Sequence, residues 1–241
     1  MGSTGRASGN QAVRAVTMPD GTKITLENDL VYSRDTGHKA MPQSVVDFEN
    51  KRRTAKIEYS ITTMEDGTVI ETNRGGKGSV GTSFFARMRA DILSHNHPRS
   101  GVETGQIGGT FSPQDISLFA KFSQKTYRAV AGEGTYSITK GERFDSTMAS
   151  DFAAFERRLS SAFKTNLQKP LTDKMRAEVN KLNTDYRAGK MTKSEADARF
   201  DALQKEYISK QLQGANNILV SLHDWLRNNQ TKYGYTYGLE R

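Results

Sequence analysis

The hydrophobic residues of this chain change period at about residue 147, and the change decides what each part can fold into. Beyond it, Phe152, Phe155, Leu159 and Phe163 recur at helical spacing, and Met175, Val179, Leu182 and Tyr186 form a second stripe. Gly189 marks the end of that second helix. Thr192 and Glu195 make a capping box for a third, which runs through Phe200, Leu203 and Tyr207 toward Trp225. Stripes of this kind pack against other elements rather than against cofactors. Residues 146–241 are therefore expected to form a helical extension with a face for a protein partner.

The region before it, 42–145, is mixed. Ser44 followed by Asp47 is expected to cap a short helix through Arg53. Residues 56–63 alternate, with Ile57, Tyr59 and Ile61 on one face and Glu58, Ser60 and Thr62 on the other. Glu65-Asp66-Gly67 turns the chain into a returning strand over 68–72, so the two runs make a hairpin. Phe84, Phe85 and Met88 suggest a short amphipathic helix, and 92–97 a buried strand that Pro98 ends. Ser112-Pro113 opens a helix running to about Ser123, and 135–139 reads as a further strand. The expected class is α/β: a mixed sheet flanked by helices, followed by the helical extension. Residues 1–41 read as a polar tail with a hairpin around Pro19-Asp20-Gly21. The aromatic, Gly-spaced tail 233–238 yields no assignment.

Composition narrows the chemistry. The 241 residues are 35% hydrophobic, which is low for one well-buried globule and fits a modest core with long solvated helices. The net charge of +8 is diffuse, and its one tight cluster is Lys51, Arg52, Arg53 and Lys56. Without interleaved aromatic residues this gives nucleic-acid binding only weak support. No apolar run approaches a membrane span and no signal-peptide pattern opens the chain, so a cytoplasmic protein without membrane contact is expected. Cysteine is absent. Disulfides, thiolate nucleophiles and thiolate ligands are excluded together, and any transition metal must be held by histidines and carboxylates.

Two of the four histidines fall in Ser94-His95-Asn96-His97-Pro98. On a strand, residues i and i+2 point to one face about 6–7 Å apart, and both imidazoles can reach one ion at about 2.0–2.1 Å. On a helix they would diverge by about 200°. A hydrogen-bonded pair on a surface strand satisfies the same spacing without an ion. Downstream, Phe111-Ser112-Pro113-Gln114-Asp115 puts a carboxylate three residues after a hydroxyl at a helix start. Ser112 as N-cap, Pro113 next and Asp115 in the first turn make a sound helix N-terminus. The same geometry aims Asp115 as a third metal ligand and sets Ser112 near a substrate; both readings can hold at once. Gly76-Lys77-Gly78-Ser79-Val80-Gly81 matches a dinucleotide fingerprint, but no repeated βαβ pattern surrounds it, and a Gly-rich hairpin loop accounts for it better.

His-x-His-Pro followed by Ser-x-x-Asp, with a glutamate on an earlier strand, resembles the motif of JAB/MPN (JAMM) zinc metalloproteases, over about residues 42–145. With Asn between the histidines and Pro after them, the run 95–101 resembles the RadC-type and phage- or prophage-associated branch more than the eukaryotic deubiquitinases. The resemblance implies a JAB/MPN-like sheet and zinc held by His95, His97 and Asp115, with water in the fourth position. It further implies a glutamate as general base and Ser112 holding the water or the oxyanion. It implies cleavage of a peptide or isopeptide bond in a protein or peptide substrate, and it admits a virion-associated setting. For the base, Glu65 lies in a turn and Glu71 on the returning strand. Glu58, on the strand before the hairpin, is the choice, with Glu71 the alternative. Seventeen residues separate His97 from Asp115, more than in the family, and the Gly-rich excess over 99–109 is expected to loop out as a flap at the site mouth. The competing expectation is a non-catalytic virion- or DNA-associated structural or partner-binding protein, or a toxin domain of a larger polypeptide. Three ligands with an open position argue against it, because a purely structural zinc normally has four.

Overall fold

The computed structural model describes residues 15–17, 23–25, 40–98, 109–132 and 134–240. Two short strands, β1 (Ala15–Thr17) and β2 (Lys23–Thr25), pair antiparallel as the expected N-terminal hairpin; the turn residues between them lie outside the described set. The centre is a six-stranded mixed sheet built from β3 (Tyr59–Thr63), β4 (Val69–Arg74), β5 (Ile92–Asn96), β6 (Thr126–Ala131), β7 (Gly134–Lys140) and β8 (Tyr235–Glu240). Their spatial order is β4-β3-β5-β6-β7-β8; β5 and β6 run parallel and every other neighbouring pair antiparallel. The parallel pair requires a crossover, which α3 (Pro113–Lys121) supplies.

The two faces of the sheet differ in chemistry. One presents Leu93, Tyr127, Ala129, Tyr136, Ile138, Tyr235, Tyr237 and Leu239 to α3, to α4 (Met148–Phe163) and to the end of α6 (Lys193–Asn228), which together bury the main core. The other mixes Ile61, Ile92 and Val130 with buried polar groups and packs on α1 (Gln43–Arg52). There Arg128, 2% exposed, is held by Glu49 at 2.6 and 2.9 Å and by Glu240 at 2.6 and 3.0 Å, and Ser94 donates to Glu49 at 2.9 Å. Burial drives the guanidinium pKa down, but the two carboxylates outweigh it and hold the charge firmly in place. Much of the expected basic cluster is absorbed here too. Arg53 donates to the Ala131 carbonyl and to Thr135, and Arg52 stacks over Tyr59 at 3.7 Å.

Several expectations need correction. Ser44 does not cap α1: the N-cap is Pro42, and the Ser44 hydroxyl instead donates to the Gly67 carbonyl, tying the helix to the turn after β3. Gly67 takes a positive φ of 90° in that turn, as the Glu65-Asp66-Gly67 pattern requires. The helix α2 (Phe84–Arg89) forms, but its apolar stripe faces outward and only Ala86 is buried. The division at residue 145 cuts across the sheet. Residues 148–233 are almost all helical, with α4 continuing through a π-helical turn (Lys164–Gln168) into α5 (Lys169–Arg187), then α6 and α7 (Gln230–Tyr233). The chain then returns as β8, pairing with β7 from Thr135↔Glu240 to Lys140↔Tyr235. The helical span is an insertion between two neighbouring strands. Among the described residues, no helix is long and apolar enough to cross a membrane.

Candidate metal centre

The site lies at the carboxyl end of β5, beside its parallel neighbour β6, where open α/β sheets present their clefts. His95 stands on the core-facing side of β5, opposite Ser60 of β3. His97 follows one residue past the strand and continues the ladder through a 2.8 Å bond from its N–H to the Val130 carbonyl. Both imidazoles therefore lean to the same side, as the i, i+2 spacing requires. Their Nε2 atoms are 3.0 Å apart, and the Asp115 Oδ1 atom is 3.5 Å from His95 Nε2. One ligand atom from each of the three lies within 4.8 Å of the others. Ligands arranged tetrahedrally at about 2.05 Å from one ion stand about 3.3 Å apart, so the two closest pairs bracket that spacing.

The ring nitrogens carry a second constraint. His97 Nδ1 lies 3.3 Å from the Gly109 carbonyl and must donate to it. For His97 this is the bond by which ligating histidines commonly fix their tautomer from the other nitrogen. His95 Nδ1 is buried and makes no hydrogen bond among the described residues. The 3.0 Å approach of the two Nε2 atoms is satisfied by a proton on one of them or by an ion between them. The electrostatics agree. Burial pulls the His95 pKa down, but the Asp115 carboxylate beside it, with Glu58 further off, leaves it raised above the ordinary histidine value. Burial likewise pushes Asp115 up, and His95 and His97 overcome that to hold it well below the usual carboxylate range.

Asp115 is aimed by the helix it starts. Ser112 caps α3: its hydroxyl donates to Asp115 Oδ2 at 2.7 Å and accepts from the Asp115 N–H at 3.2 Å, while the Ser112 N–H donates to Oδ2 at 2.8 Å. Oδ2 is thereby occupied and Oδ1 turns toward His95. The Ser112 hydroxyl proton is committed to Asp115 rather than to the open cleft. The flap expected over 99–109 lies outside the described residues as far as 108. Its far end, Gly109, sits at φ 75° beside Leu219. The long spacing does not displace Asp115, whose Oδ1 stays 3.5 Å from His95 Nε2.

Glu58, His95, His97, Ser112 and Asp115 line one cleft of about 140 Å³, together with Ser60, Leu93, Tyr127 and residues Gly78, Ser79, Val80 and Thr82 of the Gly-rich loop. That volume admits an ion with a few small groups. Glu58 just precedes β3 and is pinned on both backbone sides: its N–H donates to the Gly76 carbonyl at 2.7 Å and its carbonyl accepts from Gly75 at 2.8 Å. The loop 75–82 thus follows an antiparallel strand and shapes the cleft wall, not a dinucleotide site. Glu71 is not in the cleft; its carboxylate accepts from the Ser83 N–H at 3.0 Å, ahead of α2. Glu65 stays exposed at the turn, 3.9 Å from Lys125.

Two participants escaped the sequence reading. Asn96 points to the opposite side of β5 from the histidines, where its side chain accepts from the Tyr59 N–H at 2.7 Å and donates to the Ile57 carbonyl at 3.1 Å. It clasps the backbone on either side of Glu58. Tyr127 of β6 donates to Asp115 Oδ1 at 3.4 Å and its ring lies 5.4 Å from that of His95; burial, with Asp115 adding to it, pushes its pKa well above the tyrosine range. Nothing in the local pattern marks Tyr127, because it emerges only from the pairing of β5 with β6. A larger hollow of about 310 Å³ lies between α5 and α6, lined by Leu182, Met191 and Leu203 with Lys181, Arg199 and Glu206. It holds no convergent set of ligating groups and is a gap in helix packing. Comparison of the chain with known protein families, with curated proteins and with solved structures finds no match.

Proposed function

We propose that this chain is a zinc-dependent metallohydrolase of JAB/MPN type that cleaves peptide or isopeptide bonds. The observation that carries the proposal is the approach of His95, His97 and Asp115 ligand atoms to within 4.8 Å in a cleft that Glu58 also lines. In this reading His95 Nε2, His97 Nε2 and Asp115 Oδ1 hold the ion. When bound, zinc supplies Lewis acidity, polarising a carbonyl and making water a nucleophile near neutral pH. Glu58 takes the proton of the attacking water and passes it to the leaving amine, a role worth about a hundred- to ten-thousandfold. Ser112 acts by holding Asp115, and Asn96 by holding the Glu58 backbone. Tyr127, protonated throughout the neutral range, steadies Oδ1. Three protein ligands would suit a catalytic zinc, since a structural one normally has four.

Metal analysis of the purified protein tests this directly. About one zinc per chain is expected in the native sequence. His95→Ala and Asp115→Ala lose it, while Glu58→Gln keeps it and loses hydrolysis of a peptide library read by mass spectrometry. A metal-free Glu58→Gln, or a fully loaded His95→Ala, overturns the assignment of roles.

A further inference from the structure

Phe84, Phe85 and Met88 on α2 are 71%, 59% and 50% exposed. Three large apolar side chains turned outward from one short helix form a contiguous patch, not the scattered exposure ordinary surfaces show. The body holds the helix in this attitude. Ala86 is fully buried, the Ser123 hydroxyl donates to the Met88 carbonyl at 2.7 Å, and Phe84 meets the buried Phe122 ring edge-on at 5.9 Å. The helix itself carries Arg87 and Arg89 and no carboxylate, and the Glu71 carboxylate at its start is engaged by the Ser83 N–H at 3.0 Å. The patch is continuous with the cleft: Thr82 lines the cleft, and two residues later, at most about 7 Å of backbone, comes Phe84.

We propose that the outward face of α2 docks a polypeptide whose apolar side chains are flanked by carboxylates, and feeds it to the adjacent cleft. The feeding clause rests on the hydrolase reading above; the docking does not. Phe84, Phe85 and Met88 cover the apolar side chains of the partner, and Arg87, Arg89 and Lys121 pair with its carboxylates. Single-stranded nucleic acid suits the same charge but needs open ring faces for its bases. Of the three apolar side chains of the patch, Met88 has no ring and Arg89 already lies over Phe85 at 5.1 Å, which leaves Phe84 as its one uncovered ring. Successive bases need successive rings, and an apolar side-chain surface with two arginines suits a polypeptide better.

Fluorescence anisotropy with the full chain tests the proposal, using a short labelled peptide that alternates Glu with Leu and Phe. A matched peptide with Gln in place of Glu and a labelled oligothymidine serve as comparison probes. The Glu peptide binds, the Gln peptide binds at least about tenfold more weakly, and Phe84→Ser/Phe85→Ser and Arg87→Gln/Arg89→Gln each cost at least about tenfold. Amide shifts of the native protein on adding the Glu peptide map to 84–89, which holds the test open if a variant fails to fold. The proposal is overturned by no binding of the Glu peptide, equal binding of the Gln peptide, unaffected variants or shifts confined elsewhere. It is overturned equally if oligothymidine competes for the patch and is lost in the same variants. Zinc content of the same samples separates the two readings. Peptide binding without zinc leaves docking standing and removes the hydrolase; zinc without peptide binding does the reverse.

Discussion

Replacing Asp115 by Asn separates the two forces that act on His95. The carboxylate stands 3.5 Å from His95 Nε2 and is the main influence raising its pKa. Burial pulls the other way, against only the smaller contributions of Glu58 and the Arg128 backbone once the Asp115 charge has gone. In the metal-free Asn variant the His95 pKa is therefore expected to fall below that of the native protein. Carbon-detected NMR of the imidazoles reads this directly, since the chain has only four histidines. Stability carries an independent signature. The raised pKa of His95 contributes stability below about pH 6.5 that is lost as pH rises through its folded value. The lowered pKa of Asp115 contributes stability above about pH 3.9 that is lost as pH falls through its folded value. The two contributions overlap between about pH 4 and 6.5, so urea denaturation shows the largest loss there. A His95 pKa that does not fall in the variant refutes the ion pair. A loss uniform with pH, near the 1 kcal/mol or so of a broken helix cap, reduces Asp115 to its structural role.

Other expectations follow from the same geometry. Zinc affinity should climb as pH rises through the raised His95 pKa, because proton and ion compete for Nε2; calorimetry in buffers of different ionisation enthalpy counts the released proton, and a pH-independent affinity contradicts it. Glu49→Gln leaves the buried Arg128 short of a charge and should cost about 3–5 kcal/mol in denaturant unfolding, with a loss under about 1 kcal/mol counting against the network. Gly214→Ala gains about 1 kcal/mol of helix propensity but sets a Cβ 2.3 Å from Phe163 and 2.5 Å from Leu167, an overpacking that costs about 1–3 kcal/mol. A fall in melting temperature is expected, and a rise shows that the two helices can part without penalty.

The candidate site was legible because its signals are local. A strand period brings His95 and His97 to one side, and a helix cap orients Asp115, whatever surrounds them. Glu58 ranks above Glu71 by the family resemblance and not by hairpin faces, since both lie on the side that faces α3 and α4. What separates them is that the Glu71 carboxylate is taken up by the Ser83 N–H. The rest depends on contacts between distant segments. β6 is buried along its whole length, so it lacks the alternation that marks a half-exposed strand. The aromatic tail does alternate, with Tyr235, Tyr237 and Leu239 facing the core, but only the company of β7 reveals it as a strand. The stripe of α2 reads as amphipathic, but a period reports that a helix has two sides without saying which one meets the body, and here the apolar side faces outward.

The late return of β8 has a consequence for biogenesis. Residues 141–234 must emerge from the ribosome after β7 before β8 can lie against it, and until then Tyr136 and Ile138 lack the neighbours Leu239 and Tyr237. A nascent chain will hold its histidine pair on a ladder with a bare flank, and cooperative closure waits on a contact of very long sequence separation. Any fusion that blunts the last few residues of that strand is felt first in yield, through sticking of half-made molecules at the open edge.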